Sequence, residues 1–183
     1  MRLSEAIETL NGWSRKNRVL FTREELRKLF LRDKDAAFKE GLNRLISAGV
    51  LHRVSRGLFV FAMTERRDPH LLEQIAVALR RGNYNYLSLE SALSEYGVIS
   101  QVPLAGITVM TTGRAGVFDT PFGRIEFTHT KRSTSDILEH TRDVGRPLRV
   151  ATPSAASRDL RRVGRNVHLI DEDGLEEAMA DGR

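Results

Sequence analysis

One predicted helix carries the side chains best suited to contact nucleic-acid bases. Four apolar residues recur at helical spacing and predict a helix over residues 35–48 with one buried stripe. They are Phe38, Leu42, Leu45 and Ile46. The opposite face carries small or hydrogen-bonding side chains: Ala36, Lys39, Glu40, Asn43 and Ser47, with Arg44 on its flank. An asparagine amide can pair with adenine and a lysine or arginine with guanine or phosphate, so this face, with Lys34 just before it, predicts major-groove contacts.

A short hairpin after this helix adds two basic side chains. Residues 50–54 and 58–61 are rich in β-branched and apolar types, which predicts two strands joined by the three-residue loop 55–57. Arg56 lies at the loop tip and Arg53 on the first strand. A basic hairpin tip can reach a phosphate or the minor groove beside a helix that occupies the major groove. We therefore expect Arg53 and Arg56 to contact DNA.

The segment before this helix supplies the elements that would hold it in place. Residues 3–10 have helical spacing and end at Asn11-Gly12, and residues 19–21 look extended. Thr22 and Glu25 form a capping-box pattern at the start of a second helix. Helix, helix, helix and hairpin is the order of a winged helix-turn-helix, which we assign to residues 1–65. Because one such module reads few base pairs, we expect a homodimer or cooperative binding.

Charge is divided unevenly along the chain. The first 67 residues hold fifteen Lys and Arg against eight Asp and Glu, a net +7, whereas the other 116 hold fourteen against sixteen, a net −2. These values sum to the overall +5. A positive field confined to a helical segment is typical of modules that bind double-stranded DNA.

Composition excludes several classes of protein. The chain has 183 residues, 40% of them hydrophobic and 29% charged, which is typical of a soluble globular protein. Its longest apolar run, residues 58–63, is far too short to span a membrane, and no signal-peptide pattern precedes it. The absence of cysteine excludes disulfides and thiolate metal sites. We expect a cytoplasmic protein without membrane contact.

Residues 66–183 are predicted to form a mixed α/β domain, so that the whole chain belongs to the α+β class. The charged segment 64–69 marks the boundary. Helical patterns cover residues 71–79, 88–96, 154–163 and 175–180, and strand patterns cover 107–111, 117–120, 124–129 and 167–170. Residues 113–116 are expected to form a hairpin turn.

No catalytic motif stands out in this second region. No two histidines lie four residues apart on one helical face, so no metal and no cofactor is expected. Asp119 and Glu126 with Lys131 suggest a metal-dependent nuclease, but a spacing of five between Glu126 and Lys131 argues against it. The serines at 88, 91 and 94 are interpreted as a helix cap and two surface hydroxyls. We expect a protein that is not an enzyme.

A second candidate basic surface lies near the carboxyl end. Four arginines recur there at spacings of three and four, which places them on one helical stripe: Arg158, Arg161, Arg162 and Arg165. The stripe could be another nucleic-acid contact. The alternative is a solvated face whose charges pair with Asp159 and neighbouring acids.

Several segments resemble the AbiEi antitoxins of type IV, abortive-infection toxin–antitoxin systems. The similar segments are residues 86–97, 106–109 and 122–127, together with the hairpin at 49–59 and the helix start at 151–154. The resemblance implies a repressor that binds inverted repeats in its own operator through a winged helix. It also implies an antitoxin that counteracts a nucleotidyltransferase-like toxin encoded in the same operon, without forming a stable complex with it. A winged helix that binds a protein instead of DNA remains the main alternative.

Overall fold

The computed structural model describes residues 2–64, 68–100 and 106–181. The chain divides into two compact units, a first unit of residues 1–71 and a second unit of residues 72–183. The boundary expected between residues 65 and 66 lies outside the described residues. Both units combine helices with a sheet, so the described chain is α+β, as predicted.

In its described residues, the first unit contains three helices and one small antiparallel sheet. Its elements are α1 Leu3–Ser14, β1 Leu20–Thr22, α2 Arg23–Leu29, α3 Asp35–Ser47, β2 Leu51–Ser55 and β3 Leu58–Phe61. The strand order is β1-β3-β2, with β3 in the centre. All four residues of β3 are buried, which fits its apolar sequence and central position.

Local sequence signals explain most boundaries in the first unit. Thr22 Oγ1 accepts a hydrogen bond from the Glu25 amide, and the Glu25 carboxylate accepts one from the Thr22 amide, so the capping box is confirmed. Gly49 follows α3 with φ +69°, the left-handed conformation expected after a helix. The predicted end of α1 was wrong. The helix runs on through Gly12 to Ser14, and the left-handed residue that follows it is Asn17.

The second unit is built on a six-stranded mixed sheet. Its first element is α4 Leu71–Leu79, whose first residue is the last residue of the first unit. The others are β4 Asn85–Leu87, α5 Leu89–Glu95, β5 Gly106–Thr111, β6 Gly116–Thr120, β7 Gly123–His129, α6 Thr134–Glu139, β8 Thr141–Arg142, β9 Arg149–Ala151, α7 Pro153–Val163 and α8 Glu172–Ala180. The strand order is β6-β7-β5-β4-β9-β8. Strand β5 runs parallel to β7, and β4 runs parallel to β9.

Two expectations about this unit were wrong. Residues 113–116 do not form a hairpin turn, because β5 and β6 are not neighbours; β7 lies between them. Residues 167–170 do not form a strand. A short 3₁₀ helix, Val167–Leu169, follows the left-handed residue Asn166, and the Ile170 amide closes the turn on the carbonyl of Val167. Within the described residues, no helix is both long and apolar enough to cross a membrane.

Candidate nucleic-acid interface

Helix α3 separates apolar from polar side chains as the sequence pattern predicts. Phe38, Leu42 and Leu45 are at most 4% exposed. The predicted contact residues on the opposite face are all exposed: Ala36, Lys39, Asn43, Arg44 and Ser47. Lys34 occupies the N-cap position and is also exposed. The helix therefore presents a continuous outer face without a bulky apolar side chain.

Charges on this outer face are only partly neutralised. Arg44 pairs with Glu40 one turn earlier, at 3.0 Å, and both side chains are more than half exposed. Such an exposed pair is worth well under about 1 kcal/mol and can open when an anion approaches. Within residues 2–64, Lys34 and Lys39 form no salt bridge. These two ammonium groups are therefore available to phosphates.

The hairpin presents the other two predicted cations. Ser55 lies opposite Leu58, so the connecting loop has two residues, Arg56 and Gly57, and not the three that were predicted. Gly57 has φ +83°, a conformation that favours glycine in such tight turns. Arg56 is exposed beside it, and Arg53 is exposed on β2.

Contacts within the unit hold this hairpin and α2 in fixed positions. The guanidinium of Arg53 lies over the ring of Phe59, at 5.7 Å from its centroid, on the opposing strand. The carbonyl of Gly57 accepts a hydrogen bond of 2.8 Å from the amide of Arg23, the first residue of α2. The tip of the hairpin is therefore tied to the start of a helix.

Sequence reasoning missed an arginine in the last turn of α2 that contacts α3. Arg27 lies over the ring of Phe38 at 5.4 Å, pairs with Asp35 at 3.2 Å and donates to the carbonyl of Phe30 at 2.9 Å. These contacts join the end of α2 to the beginning of α3. The i, i+8 separation of Arg27 and Asp35 spans two elements, so no helical spacing rule could reveal the pair.

The second candidate basic surface is only partly formed. Arg158 and Arg162 are exposed on α7. Arg161 donates to the Glu172 carboxylate at 2.6 and 2.8 Å and to the Ser157 hydroxyl at 3.2 Å. Its charge is therefore paired with an acid of α8.

Arg165 does not belong to the helical stripe, which corrects the prediction. Helix α7 ends at Val163, and Gly164 turns the chain with φ +75°. Arg165 donates hydrogen bonds to the buried Glu90 carboxylate, from Nε at 2.8 Å and from Nη2 at 3.1 Å, and also donates to Glu126. Although burial lowers the pKa of Arg165, its hydrogen bonds to both carboxylates raise that pKa above its usual value overall.

Asp159 is likewise not a surface partner of the α7 arginines. It is fully buried and accepts hydrogen bonds from the hydroxyls of Ser88 at 2.9 Å and Tyr86 at 3.2 Å. Arg132 neutralises it at 3.0 Å. Burial and the Asp159 charge raise the pKa of the Tyr86 hydroxyl, so it stays protonated and donates.

The predicted roles of the α5 serines also need correction. Ser88 precedes α5, but its hydroxyl makes no cap bond and donates to Asp159 instead. Ser91 is buried, and its hydroxyl accepts from the Thr108 amide at 2.8 Å, so it is not on the surface. Both hydroxyls are occupied by structural partners.

One of the two carboxylates of the imagined nuclease site is already bound by an arginine. Glu126 is bound by Arg165, and Asp119 is exposed opposite Arg124 on the neighbouring strand. In the described parts of the chain, no group of three or more His, Asp or Glu side chains could hold a metal ion. A metal at Glu126 would have to displace a guanidinium.

Comparisons with known proteins bear on the fold. No family model and no curated protein sequence matches the chain. The structure is similar to the crystal structure of the RV2827C protein from Mycobacterium tuberculosis, with a TM-score of 0.63 and 15% sequence identity. The match covers 93% of this chain and 69% of that protein. At this identity the likeness concerns the fold alone.

Proposed function

We propose that the protein is a sequence-specific, double-stranded DNA-binding repressor whose first unit is a winged helix-turn-helix. The outer face of α3 carries the proposal. It combines a hydrogen-bonding side chain, Asn43, with the cation Lys39, and both are exposed. An α helix with such a face fits the major groove, and Asn43 has the donor and acceptor needed to pair with adenine.

The hairpin supplies the phosphate contacts. Arg56 is exposed at a tip that is tied to α2, and Arg53 is steadied by the ring of Phe59. A cation held in this way loses less conformational entropy when it binds an anion. With Lys34 and Lys39, these residues give about four to six phosphate contacts per subunit, which makes the affinity for DNA fall steeply as salt rises.

The biological role we propose follows from the resemblance to AbiEi antitoxins. The protein represses its own operon from an inverted-repeat operator, as a homodimer or by cooperative binding, in the cytoplasm. It counteracts a nucleotidyltransferase-like toxin encoded beside it without forming a stable complex with that toxin. It performs no catalysis.

Gel shifts with two DNA fragments of equal length test DNA binding. One fragment is the region upstream of the protein's own gene, and the other has a random sequence. Arg56→Ala should weaken binding to both fragments equally, because phosphate contacts carry no sequence information. Asn43→Ala should cost about 1–3 kcal/mol of binding free energy, mainly at one base pair of the operator.

Arg15→Ala provides the matched control, since Arg15 is exposed at the end of α1, outside the proposed contact surface. It should shift both fragments like the parent protein. If Arg56→Ala and Asn43→Ala also bind like the parent, the docking model is wrong. In cells, loss of growth after deletion of this gene alone, but not after deletion of the neighbouring gene with it, would support the antitoxin role.

A specific observation favours one second candidate, a protein-binding winged helix. Leu31, in the turn between α2 and α3, is 71% exposed, the largest exposure among the large apolar side chains described. An aliphatic side chain of this size can anchor a partner when it fills a pocket on that partner. Binding of a partner that is insensitive to salt and lost in Leu31→Ser, with no shift of either DNA fragment, would favour this candidate.

A further inference from the structure

Three connections of the second unit meet at one end of its six-stranded sheet. Residues 80–84 lead into β4, residues 112–115 follow β5, and residues 130–131 follow β7. In the sheet, Asn85 lies opposite Thr111, and Thr111 lies opposite His129, so these strand ends are adjacent. We call six residues of this region the basic sheet end: Arg80, Arg81, Tyr84, Arg114, His129 and Lys131.

Hydrogen bonds join the three connections. Arg80 Nε donates to the carbonyl oxygen of Arg114 at 2.8 Å. His129 Nδ1 lies 2.7 Å from the carbonyl oxygen of Gly113, and because a carbonyl can only accept, this ring nitrogen carries the proton. The backbone of residues 113 and 114 is therefore bonded to side chains from the two neighbouring strand ends.

Arg80 is a half-buried cation at the base of this region. Its guanidinium lies over Phe127 at 4.3 Å and over Phe118 at 5.0 Å. The side chain is half-buried, so its hydration is reduced, and this burial lowers the pKa of the guanidinium. Among the described residues, no carboxylate forms a salt bridge with Arg80. A partly dehydrated cation without an internal counter-ion favours an anion from outside.

The surrounding sequence contains no acid. Residues 80–88, 106–118 and 127–135 include no Asp or Glu, although residues 68–183 carry fourteen basic against sixteen acidic side chains. Arg81, Arg114 and Lys131 are exposed and, within the described residues, unpaired with any acid. Positive charge is thus concentrated at one end of a unit whose net charge is negative.

An exposed aromatic residue, Tyr84, belongs to the same group of strand ends. Tyr84 is 45% exposed, and its backbone is fixed by two hydrogen bonds of 3.0 Å with Thr112, one in each direction. Exposed aromatic rings beside cations are typical of surfaces that bind single-stranded nucleic acid, where a base stacks on the ring and the cations follow the phosphates. A duplex hides the faces of its bases, so the ring favours single strands.

We propose that the basic sheet end binds single-stranded nucleic acid, with phosphates held by Arg81, Arg114 and Lys131 and one base stacked on Tyr84. Half-buried Arg80 adds positive potential beneath the bound strand. This activity is separate from the DNA binding proposed for the first unit, and either can exist without the other.

Fluorescence anisotropy with the full chain tests this proposal. The probes are labelled oligouridylate and oligothymidylate of about twelve nucleotides, within the range that comparable sites cover, and a duplex of the same length. The double variant Arg81→Gln, Arg114→Gln should bind both single strands roughly tenfold more weakly and lower the slope of log affinity against log salt by about 1.4. Tyr84→Leu should weaken binding about fivefold, whereas Tyr84→Phe should bind like the parent.

Arg124→Gln is the matched control. Arg124 is exposed near the beginning of β7, whereas His129 of the basic sheet end is the last residue of that strand. It should bind like the parent, and thermal unfolding should show that every variant is folded. The proposal is overturned if the double variant binds single strands as tightly as Arg124→Gln does, or if Tyr84→Leu has no effect. Equal loss of duplex and single-strand binding in the double variant would also overturn it, because the surface would then bind phosphates without distinguishing a single strand from a duplex.

Two further comparisons in the same assay identify the ligand and separate this proposal from the proposed function of the first unit. Tighter binding of oligouridylate than of oligothymidylate supports RNA as the ligand, and the reverse order supports single-stranded DNA. Arg56→Ala should leave single-strand binding unchanged while it weakens duplex binding. If duplex binding fails and single-strand binding persists, only the function proposed for the first unit is wrong.

Discussion

Among the described residues, buried ion pairs distinguish the second unit from the first. In the first unit, Lys39 and Arg56 are exposed, and the ion pairs on this surface, such as Arg44 with Glu40, are exposed as well. In the second unit, Asp159 and Glu90 are at most 2% exposed and are held by arginines from distant parts of the chain.

The difference is a matter of solvation. A buried carboxylate is tolerated only when a cation and hydrogen-bond donors replace its water, so the partners of Asp159 and Glu90 are committed to the fold. An exposed cation keeps its hydration and can exchange water for phosphate oxygens, with release of counter-ions. The number of basic residues in a segment is therefore a poor guide to binding unless their partners are known.

The largest expected effect comes from breaking the charge cluster around Asp159. Asp159→Ala removes the anion that Arg132 neutralises and the acceptor of two buried hydroxyls, and should lower the free energy of unfolding by about 3–5 kcal/mol. Urea unfolding followed by circular dichroism measures this. Glu176→Ala, an exposed acid of α8, should change the stability by less than about 0.5 kcal/mol. Equal stability of the two variants would contradict the structural role of Asp159.

A second prediction compares two arginines three residues apart. Arg165→Ala leaves the buried Glu90 without its main partner and should cost about 2 kcal/mol, less than for a fully buried pair because the Arg165 side chain is 33% exposed. Arg162→Ala, at an exposed position of α7, should cost no more than about 0.5 kcal/mol. If the two variants lose similar amounts of stability, the two arginines have similar surroundings, as the single basic stripe predicted from the sequence requires.

A third prediction concerns the capping box of the first unit. Thr22→Ala should lower the stability of this unit by about 1 kcal/mol, because it removes a side-chain cap. The fluorescence of Trp13, the one tryptophan of the chain, reports on this unit separately. Unchanged Trp13 unfolding in Thr22→Ala would show that the cap contributes nothing.

The same capping box predicts a pH dependence. Burial raises the pKa of Glu25, but hydrogen bonds to Thr22 and the charge of Arg18 outweigh it and lower the pKa below 4.5 overall. The ionised carboxylate therefore stabilises the unit above about pH 4.5, and this contribution is lost as the pH falls further. Glu25→Gln should reduce this loss on acidification, whereas Glu24→Gln, its exposed neighbour, should retain it.

The smallest effect on stability is expected on the outer face of α3. Lys39→Ala should change the free energy of unfolding by less than about 0.5 kcal/mol, since Lys39 is exposed. If Lys39 contacts a phosphate, the slope of log affinity for duplex DNA against log salt should fall by about 0.9. If Lys39→Ala lost as much stability as Arg165→Ala, the contrast between exposed cations in the first unit and buried ion pairs in the second would be wrong.

Elements whose sequence signals lie within the element itself, such as helical spacing or a capping box, could be predicted. Helix α3 follows from the spacing of Phe38, Leu42 and Leu45, and the start of α2 follows from Thr22 and Glu25. Strands β8 and β9 were not predicted, because pieces of two and three residues show no alternation of polar and apolar types. Strand β9 is placed by its pairing with β4, more than 60 residues earlier, and β8 pairs in turn with β9.

Side-chain positions likewise divide into those that follow from local spacing and those that depend on distant residues. The exposed face of α3 could be read from periodicity, whereas the burial of Ser88 and Ser91 could not, since their partners Asp159 and Thr108 lie 71 and 17 residues away. Polar type alone suggested surface positions for these serines. The basic sheet end escaped notice for the same reason, because its members come from three separate connections.

The sequence by itself determined the α+β class, the amphipathic α3 and the concentration of positive charge in the first 67 residues, because these depend on residue type and on spacing within single elements. The tertiary structure alone decided which charges are free to meet a ligand. Pairing between Arg165 and Glu90, or between Arg132 and Asp159, requires elements far apart in the chain to pack together, and only that packing removes the water that would otherwise solvate them.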